Sequence, residues 1–377
     1  MAARPRPQSV PVASATISPF LFTPLTLRGV TARNRLWLAP MCQYSATDGM
    51  PGEWQHVHLA GRASGGFGLL LTEAAAVASE GRITPQDVGI WSDEQAAAWR
   101  PVVDAVHARG ALAAVQLAHA GRKASTYLPW SPVQGTVPAD DGGWVTVGPS
   151  PIAFPGYASP TALDAAGIAG VVAAFAAATR RAEVAGFDAV EVHAAHGYLL
   201  HQFLSPLSNA RTDVYGGDLV GRARLLLEVV AAVRAAWPAD RPLLVRLSAT
   251  DWTEGGLTVD DVATVATWLA PLGVDLVDVS SGGNVPAPVA VAPGYQVPFA
   301  RAVREASGLP TSAVGLIGSG AQAERVLREG SADVVMIGRP ALADAAWPLR
   351  AAHELGVPVA TDGGAPWPAQ YVRGAWE

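Results

Sequence analysis

The pattern of apolar positions divides the chain into eight short runs, rich in Val, Leu and Ile, that alternate with stretches of helical periodicity. Runs this short and this continuous are typical of strands that are covered on both faces. Eight of them alternating with helices predict an α/β protein whose parallel sheet closes into a (β/α)8 TIM barrel, in a single domain. The predicted strands are 35–41, 68–77, 111–117, 187–192, 243–247, 276–280, 311–317 and 333–337.

Helix start and stop signals support the same alternation. Ser92 precedes acidic residues and Gln95, which is the pattern of a capping box, and Gly110 marks the end of that helix. A long alanine-rich segment predicts a helix over 164–185. Further helices are predicted over 221–237, 259–272, 299–306, 321–329 and 341–355.

Three segments fall outside or interrupt this regular pattern. Residues 1–18, rich in Pro, Ser and Ala, lack the apolar core of a signal peptide and are expected to form a flexible tail before the barrel domain, 19–366. Residues 125–160, rich in Pro, Gly and Trp, exceed a usual connection and predict a functional loop or lid. The aromatic C-terminal segment, 367–377, is expected to dock at a subunit interface.

Composition narrows the function classes. The 377 residues are 50% hydrophobic and carry a net charge of −6, so a large core is expected and nonspecific nucleic-acid binding is not. No apolar stretch approaches the roughly 20 residues of a membrane span, so no membrane association is expected. The single cysteine, Cys42, cannot form an internal disulfide or a cysteine-ligated cluster, and it fits a reducing, cytoplasmic location.

The stretch 190–198 (Val-Glu-Val-His-Ala-Ala-His-Gly-Tyr) joins a buried strand to three ionisable side chains. If the strand ends at His193 and the chain then turns helically, the i, i+3 spacing places His193 and His196 on one side. Two imidazoles and Tyr198 at the carboxyl end of a strand predict a pocket that handles protons. The alternative is a core histidine with satisfied hydrogen bonds beside a loop tyrosine.

The residues that follow other strands are further candidates, because the carboxyl ends of barrel strands form the working face. The glycines of 315–320 and the pair Gly338-Arg339 predict a phosphate site, since backbone N–H groups and a guanidinium favour an anion. The alternative is that these glycines only form tight turns. The run Gly-Leu-Ile-Gly-Ser-Gly is not the Gly-x-Gly-x-x-Gly of a Rossmann domain.

Polar residues in or after apolar strands fit a phosphate-bearing cofactor that lies across the barrel mouth. Arg246 is costly to bury without an anion, although a structural ion pair is the alternative. Gln116 can offer a donor and an acceptor to an amide-like heterocycle, or it can cap loop backbone. Cys42 lies at a strand end, between Met41 and Tyr44, which favours the pocket over the core.

Five longer motifs occur in order along the chain: Pro-Met-Cys-Gln-Tyr-Ser (40–45), Gln-Leu-Ala-His-Ala-Gly-Arg-Lys-Ala (116–124), His-Ala-Ala-His-Gly-Tyr-Leu-Leu-His-Gln-Phe-Leu-Ser-Pro (193–206), Asn-Ala-Arg-Thr-Asp-Val-Tyr-Gly-Gly (209–217) and Val-Arg-Leu-Ser (245–248). Together they resemble the Old Yellow Enzyme family, and within it the bacterial, thermophilic-like class of NADPH dehydrogenases and xenobiotic reductases. The resemblance extends from about residue 18 to the C-terminus. The chain departs from the shortest members in its long 125–160 loop and in the residues after Arg373.

The resemblance implies a tightly but non-covalently bound FMN, with NADPH as the reductant. It assigns the flavin ring to Pro40, Met41, Cys42 and Ala74, the pyrimidine side to Gln116 and Arg246, and the phosphate to Gly315, Gly338 and Arg339. It assigns the carbonyl oxygen of the substrate to His193 and His196, proton donation to Tyr198, and further substrate contacts to Tyr44 and Lys123. It matches Arg373 to an arginine that reaches a neighbouring subunit's active site, so a homodimer or homotetramer is expected.

The implied activity is that of an ene-reductase. NADPH reduces FMN, FMN transfers hydride to the β-carbon of a small activated alkene such as an α,β-unsaturated ketone or aldehyde, and the α-carbon is protonated.

An oxidative demethylase or amine oxidoreductase with the same flavin is one alternative. A metal-dependent hydrolase with Glu191, His193 and His196 as ligands is another, although the sequence holds no His-Glu-x-x-His helix and no metal is expected. A phospholigand-binding barrel without catalysis would leave Tyr198 and both histidines without a role.

Overall fold

A computed structural model describes residues 19–376, so the predicted tail over 1–18 lies outside the described residues. Eight parallel strands form a closed barrel, which confirms the predicted (β/α)8 architecture. Each strand pairs with its neighbours in chain order, and the eighth closes on the first through the pair Met336 and Trp37. The barrel strands are Leu36–Leu38, Leu69–Ala76, Leu112–Ala118, Ala189–Ala194, Leu243–Ser248, Leu276–Ser280, Thr311–Ala313 and Val334–Ile337.

Helices cover the outside of the barrel. The predicted helices are present with one correction, and two more, Glu53–Ser64 and Leu199–Leu204, lie in segments for which no helix bounds were predicted. The helix predicted over 341–355 is two helices, because the side chain of Asp344 accepts the N–H of Ala346 and Pro348 has no N–H for a continuous ladder. The α-helices are Glu53–Ser64, Asp93–His107, Ala165–Ala185, Leu199–Leu204, Leu219–Ala236, Val259–Leu269, Val297–Ser307, Gly320–Arg328, Arg339–Ala343 and Trp347–Glu354.

The inward-facing side chains of the barrel form layers. An apolar layer closes its lower part and includes Ala114, Ala189, Leu244, Leu276 and Val334. Successive residues of a strand face opposite sides, so the next inward positions lie two residues further along. At that level four of the inward residues are polar, namely Gln116, Glu191, Arg246 and Asp278, while Met336 remains apolar. The site described below is built on this polar layer.

The segment 125–160 is irregular and packs along the barrel mouth. Its short strand Val147–Gly148 pairs with Thr161–Ala162. The guanidinium of Arg122, which is 1% exposed, donates to the carbonyls of Ile152 (3.1 Å) and Asn284 (2.7 Å). Arg122 therefore ties this segment to the loop that follows the sixth barrel strand.

Both ends of the described chain pack on the barrel. The strands Leu25–Leu27 and Val30–Ala32 form an antiparallel hairpin ahead of the first barrel strand. Near the C-terminus, the rings of Trp367 and Trp376 meet edge to face at 5.2 Å. Docking of the segment 367–377 at a subunit interface stays a prediction. Within residues 19–376, no helix is long and apolar enough to cross a membrane.

Phe175 provides a test of the packing of the longest helix, Ala165–Ala185. Its ring is fully buried in the layer between helices and barrel. We expect Phe175→Ala to lower the free energy of unfolding by about 3–5 kcal/mol, because it leaves a cavity in a close-packed layer. Denaturant unfolding measures this loss. Val184→Ala on the same helix, where the side chain is 60% exposed, is the control and should change stability by less than about 0.5 kcal/mol.

Candidate active site

The register of the barrel strands brings the side chains of the polar layer, at the base of the site, next to one another. Arg246 pairs with Asp278 on the sixth barrel strand, and Gln116 pairs with Glu191 on the fourth. The Nε of Arg246 lies 2.8 Å from Asp278 Oδ2, and Gln116 Nε2 donates to Glu191 Oε1 at 2.8 Å. Arg246 therefore forms a structural ion pair, which was the alternative to a cofactor contact. Its side chain also lines the cleft at the barrel mouth.

Glu191 is the one carboxyl of this layer without a cation in direct contact. Burial, followed by the nearby charge of Asp278, raises its pKa to about 8, against the opposing influence of Arg246 and the Gln116 hydrogen bond. Glu191 is therefore protonated at neutral pH. With Asp278 balancing Arg246, the layer carries no net charge in that state.

His193, His196 and Tyr198 lie together above the polar layer. The rings of His193 and His196 are 5.2 Å apart, and those of His193 and Tyr198 are 5.0 Å apart, both edge to face. Burial, and then the charge of Arg246, lowers the pKa of both imidazoles well below the usual value, so both are neutral. The Ala195 N–H donates to His193 Nδ1 at 3.2 Å, so the ring proton of His193 is on Nε2, where it can be donated.

The turn after the fourth barrel strand has an unusual backbone. His196 and Gly197 both adopt the left-handed conformation, with φ of 57° and 74°. A Cβ on Gly197 would lie 2.2 Å from the carbonyl oxygen of Gly283, so only glycine fits there. The backbone N–H of His196 donates to Ser248 Oγ at 2.9 Å, and Nε2 of the His196 ring is 2.7 Å from Ser280 Oγ. The turn is thus fixed by side chains from the two following strands.

Lys123, the only lysine of the sequence, completes the support of this turn. Its Nζ donates to the carbonyls of His196 (2.8 Å) and Gly283 (3.0 Å). It also lies 5.0 Å from the ring centre of Tyr198 and 4.9 Å from that of Phe154. Burial, with a contribution from Arg122, lowers its pKa to about 8. These contacts make Lys123 a support for the backbone turn as well as a neighbour of the pocket.

The phenol of Tyr198 faces residues of the loop after the first barrel strand. Burial raises the pKa of Tyr198 well above its usual value, and Cys42 and Tyr44 add to the shift. Burial likewise raises the pKa of Cys42, whose thiol interacts with the Tyr44 hydroxyl. Trp130, from the 125–160 segment, packs edge to face on Tyr44 at 5.7 Å. The phenol and the thiol both keep their protons at neutral pH.

A cleft of about 650 Å³ at the barrel mouth includes His196 in its lining. At one end lie His196, Arg246 and Ser280. At the other end the wall is formed by Gly315, Gly338 and Arg339, so that an exposed guanidinium lies beside two glycines. Pro40 and Met41 also line this cleft, and Ala74 lines a small cavity beside Tyr198. The shape and the charge suit a flat ligand with an anionic tail.

Arg373 is the predicted site residue that the structure does not bring to this cluster. It lines a surface cleft with Ala60, Gly61 and Trp376, on the outer side of the helix Glu53–Ser64. A contact between Arg373 and an active site would therefore require another copy of the chain.

Several side chains that support the site were missed by the sequence analysis. The signal for Asp278 was present, since Leu-Val-Asp-Val-Ser (276–280) places an acid in an apolar strand just as Val-Arg-Leu-Ser (245–248) places a base in the preceding strand. Ser248, Ser280 and His201 gave no such signal, because their roles depend on contacts between strands and loops.

The alternative of a metal-dependent hydrolase lacks a set of metal ligands in the part of the chain that the structure describes. Among residues 19–376, no group of three or more His, Cys, Asp or Glu side chains is arranged to hold an ion. Glu191 is engaged by Gln116 in the layer below the histidines. The cluster is better suited to hydrogen bonding and proton transfer than to metal coordination.

The barrel, its cleft and its neutral donors fit a flavin-dependent oxidoreductase. The chain belongs to the NADH:flavin oxidoreductase / NADH oxidase family, whose model matches residues 20–357. It is 43% identical to an NADPH dehydrogenase of Halalkalibacterium halodurans (94% of this chain, 98% of the relative) and 47% identical to one of Geobacillus thermodenitrificans (94% and 98%). The old yellow enzyme homologue from Zymomonas mobilis superposes with a TM-score of 0.76 at 28% identity, covering 95% of this chain and 100% of that one.

The protein is therefore an NAD(P)H-dependent flavin oxidoreductase of the Old Yellow Enzyme type, with FMN as its cofactor. The residues present fit that cofactor. The glycines and Arg339 suit a phosphate, the cleft suits a flat ring system, and Arg246 lines the cleft with Gln116 buried in the same polar layer.

The protonation of Glu191 in the polar layer can be tested through the pH dependence of stability. Between its ordinary pKa of 4.5 and its folded value of about 8, Glu191 is ionised in the unfolded chain and protonated in the folded one. Unfolding then releases a proton, so its contribution to stability falls as the pH rises through this window. We expect Glu191→Gln, which cannot ionise, to gain stability relative to the native holoenzyme from pH 5 to pH 8. Urea unfolding at several pH values measures the difference, and the exposed Glu183→Gln should show no such trend.

Proposed function

We propose that this enzyme is an NADPH-dependent ene-reductase that acts on small activated alkenes such as α,β-unsaturated ketones and aldehydes. The observation that carries the proposal is the pairing of two uncharged imidazoles with a buried phenol that keeps its proton. The reductant is NADPH, in agreement with the curated relatives. When bound, FMN would supply hydride from NADPH to the β-carbon of the alkene.

His193 and His196 bind the carbonyl oxygen of the substrate. Because both rings are neutral, they act as hydrogen-bond donors without placing a full charge in the pocket. Negative charge develops on the carbonyl oxygen as the β-carbon is reduced. Donors that are already oriented, and held in a low dielectric, stabilise that charge more than they stabilise the neutral ketone.

Tyr198 supplies the proton that the α-carbon requires. Its hydroxyl keeps the proton at neutral pH, and the enolate that forms beside it is a strong base. Lys123, 5.0 Å from the ring centre, favours the tyrosinate that proton donation leaves behind. Tyr44, whose ring packs against Trp130, is assigned to contact the substrate.

For the cofactor, we propose the contacts that the motifs imply. We assign the ring of FMN to Pro40, Met41, Cys42 and Ala74, its pyrimidine side to Gln116 and Arg246, and its phosphate to Gly315, Gly338 and Arg339. Arg246 would place a permanent cation beside the ring of bound FMN, where it would favour negative charge. Asp278 holds that cation in place.

The C-terminal segment completes a neighbouring site in a homodimer or homotetramer. Arg373 lies outside the active site of its own chain. The side chains of Tyr371 and Trp376, which are 60% and 40% exposed, line the same surface cleft as Arg373. A second copy covering this surface would bring Arg373 to the mouth of the partner's barrel.

The two half-reactions test the role of Tyr198. We expect Tyr198→Phe to slow reoxidation of the reduced enzyme by cyclohexenone about 10²- to 10⁴-fold, because the proton donor is lost. Bleaching of the flavin by NADPH should be nearly unchanged. Anaerobic stopped-flow absorbance at the flavin band measures both rates.

The control for Tyr198→Phe is Tyr215→Phe, which removes a hydroxyl that contacts Glu228 away from the barrel mouth. Equal losses in both half-reactions of Tyr198→Phe would contradict its role as proton donor. A native enzyme that bleaches and oxidises an N-methylamine, but does not reduce cyclohexenone, would favour the oxidative demethylase instead.

A mixing experiment tests the contribution of Arg373 to the partner's site. We expect His193→Ala and Arg373→Ala each to be impaired in alkene reduction. Co-refolded or co-expressed together, they should recover activity in roughly a quarter of the sites, because a mixed dimer holds one site with both residues. Steady-state alkene reduction per bound flavin measures the recovery. If the activity of the mixture were no higher than the average activity of the two variants, Arg373 would lie outside the partner's site.

A further inference from the structure

We propose that His201 and Asp251 are a positioning pair that fixes the backbone between His196 and Tyr198 through one tautomer of the His201 ring. Both side chains are fully buried, and neither has a role in the mechanism above. The pair lies on the short helix Leu199–Leu204 and in the loop after the fifth barrel strand. The proposal uses the proposed ene-reductase activity for one of its readouts.

The hydrogen bonds of His201 define its tautomer. The Gly197 N–H donates to His201 Nδ1 at 2.9 Å, so Nδ1 carries no proton. The proton is therefore on Nε2, which lies 3.0 Å from Asp251 Oδ1. An acceptor at Nδ1 and a donor at Nε2 are both required by the neighbours of the ring.

Asp251 enforces this tautomer because it can only accept. Its Oδ2 accepts the Ser205 hydroxyl at 2.6 Å and the Leu257 N–H at 2.9 Å. Burial opposes ionisation, but the adjacent His201 ring, together with the hydrogen bonds from Ser205 and Leu257, outweighs it and holds the pKa of Asp251 below its usual value. An ionised carboxylate beside Nε2 leaves Nδ1 free to accept from Gly197.

The bond to Gly197 matters because of what lies on either side of it. His196 and Gly197 are both left-handed, and Tyr198 follows directly. The Gly197 carbonyl accepts from Gln202 Nε2 at 2.7 Å, so both backbone polar groups of Gly197 are held by side chains of the helix Leu199–Leu204. A change at His201 would therefore displace an oxyanion donor and the proton donor together.

Asp251→Asn reverses the hydrogen-bond pattern at nearly constant shape. The Leu257 N–H is a fixed donor, so the amide oxygen of the new side chain faces Leu257 and its NH₂ faces His201. His201 must then accept at Nε2 and carry its proton on Nδ1, where it opposes the Gly197 N–H. We expect reoxidation by cyclohexenone to slow about 10- to 100-fold, since small displacements of reacting groups cost this much. FMN content and bleaching by NADPH should change less than about twofold.

The double variant His201→Asn/Asp251→Asn separates this role from simple packing. An asparagine at 201 places its Oδ1 where Nδ1 stood, so an acceptor for Gly197 no longer depends on a tautomer. We expect the double variant to reoxidise at least about tenfold faster than Asp251→Asn alone. A double variant no faster than Asp251→Asn would overturn the proposal. Ser205→Ala removes a bond to Asp251 without altering the tautomer, and should lower Tm without the selective loss.

The tautomer itself gives a readout that does not depend on turnover. Imidazole ¹⁵N resonances of the native holoenzyme should show His201 protonated at Nε2 and bare at Nδ1. A protonated Nδ1 would overturn the proposal even if Asp251→Asn failed to fold. A native enzyme with the expected tautomer that reduces no alkene would instead contradict only the proposed function.

Discussion

Closure of the parallel sheet is the constraint on which the rest of this structure depends. Every barrel strand is paired on both edges, so each of its residues points either to the helices or to the barrel axis. Along the axis, two-residue steps lead from the apolar layer at Leu244 to Arg246 and then to Ser248. The apolar layer therefore closes the barrel below the ionisable groups. The site lies on the polar layer above it, on the side of the barrel mouth.

Burial of this level sets the protonation of the site. The same low dielectric that removes the charge from His193 and His196 keeps the protons on Glu191 and Tyr198. The side chains around the cleft are thus mostly neutral and hydrogen-bonded, with Arg246 balanced by Asp278. A site of this kind needs little reorganisation when negative charge appears on a ligand.

The fold could be predicted from the sequence because strands buried on both faces leave a direct apolar signal, and glycines and caps mark the helices between them. The clustering of His193 and His196 also followed from local spacing, once the strand was taken to end at His193. The partner of Arg246 could not be found in this way, because Asp278 becomes its neighbour only through the register of two strands. The division of the helix predicted over 341–355 was missed because a side-chain bond from Asp344, rather than hydrophobic period, interrupts it.

The choice of arginine for every cation except Lys123 has a chemical consequence. Guanidinium groups do not react with reagents selective for primary amines, so within residues 19–376 such acylating agents have one side-chain target. That amine lies against the carbonyls of His196 and Gly283. Acylation would remove its charge and leave one N–H for two carbonyls, so covalent attachment of this protein to a carrier through lysine chemistry would act on the turn that holds the site.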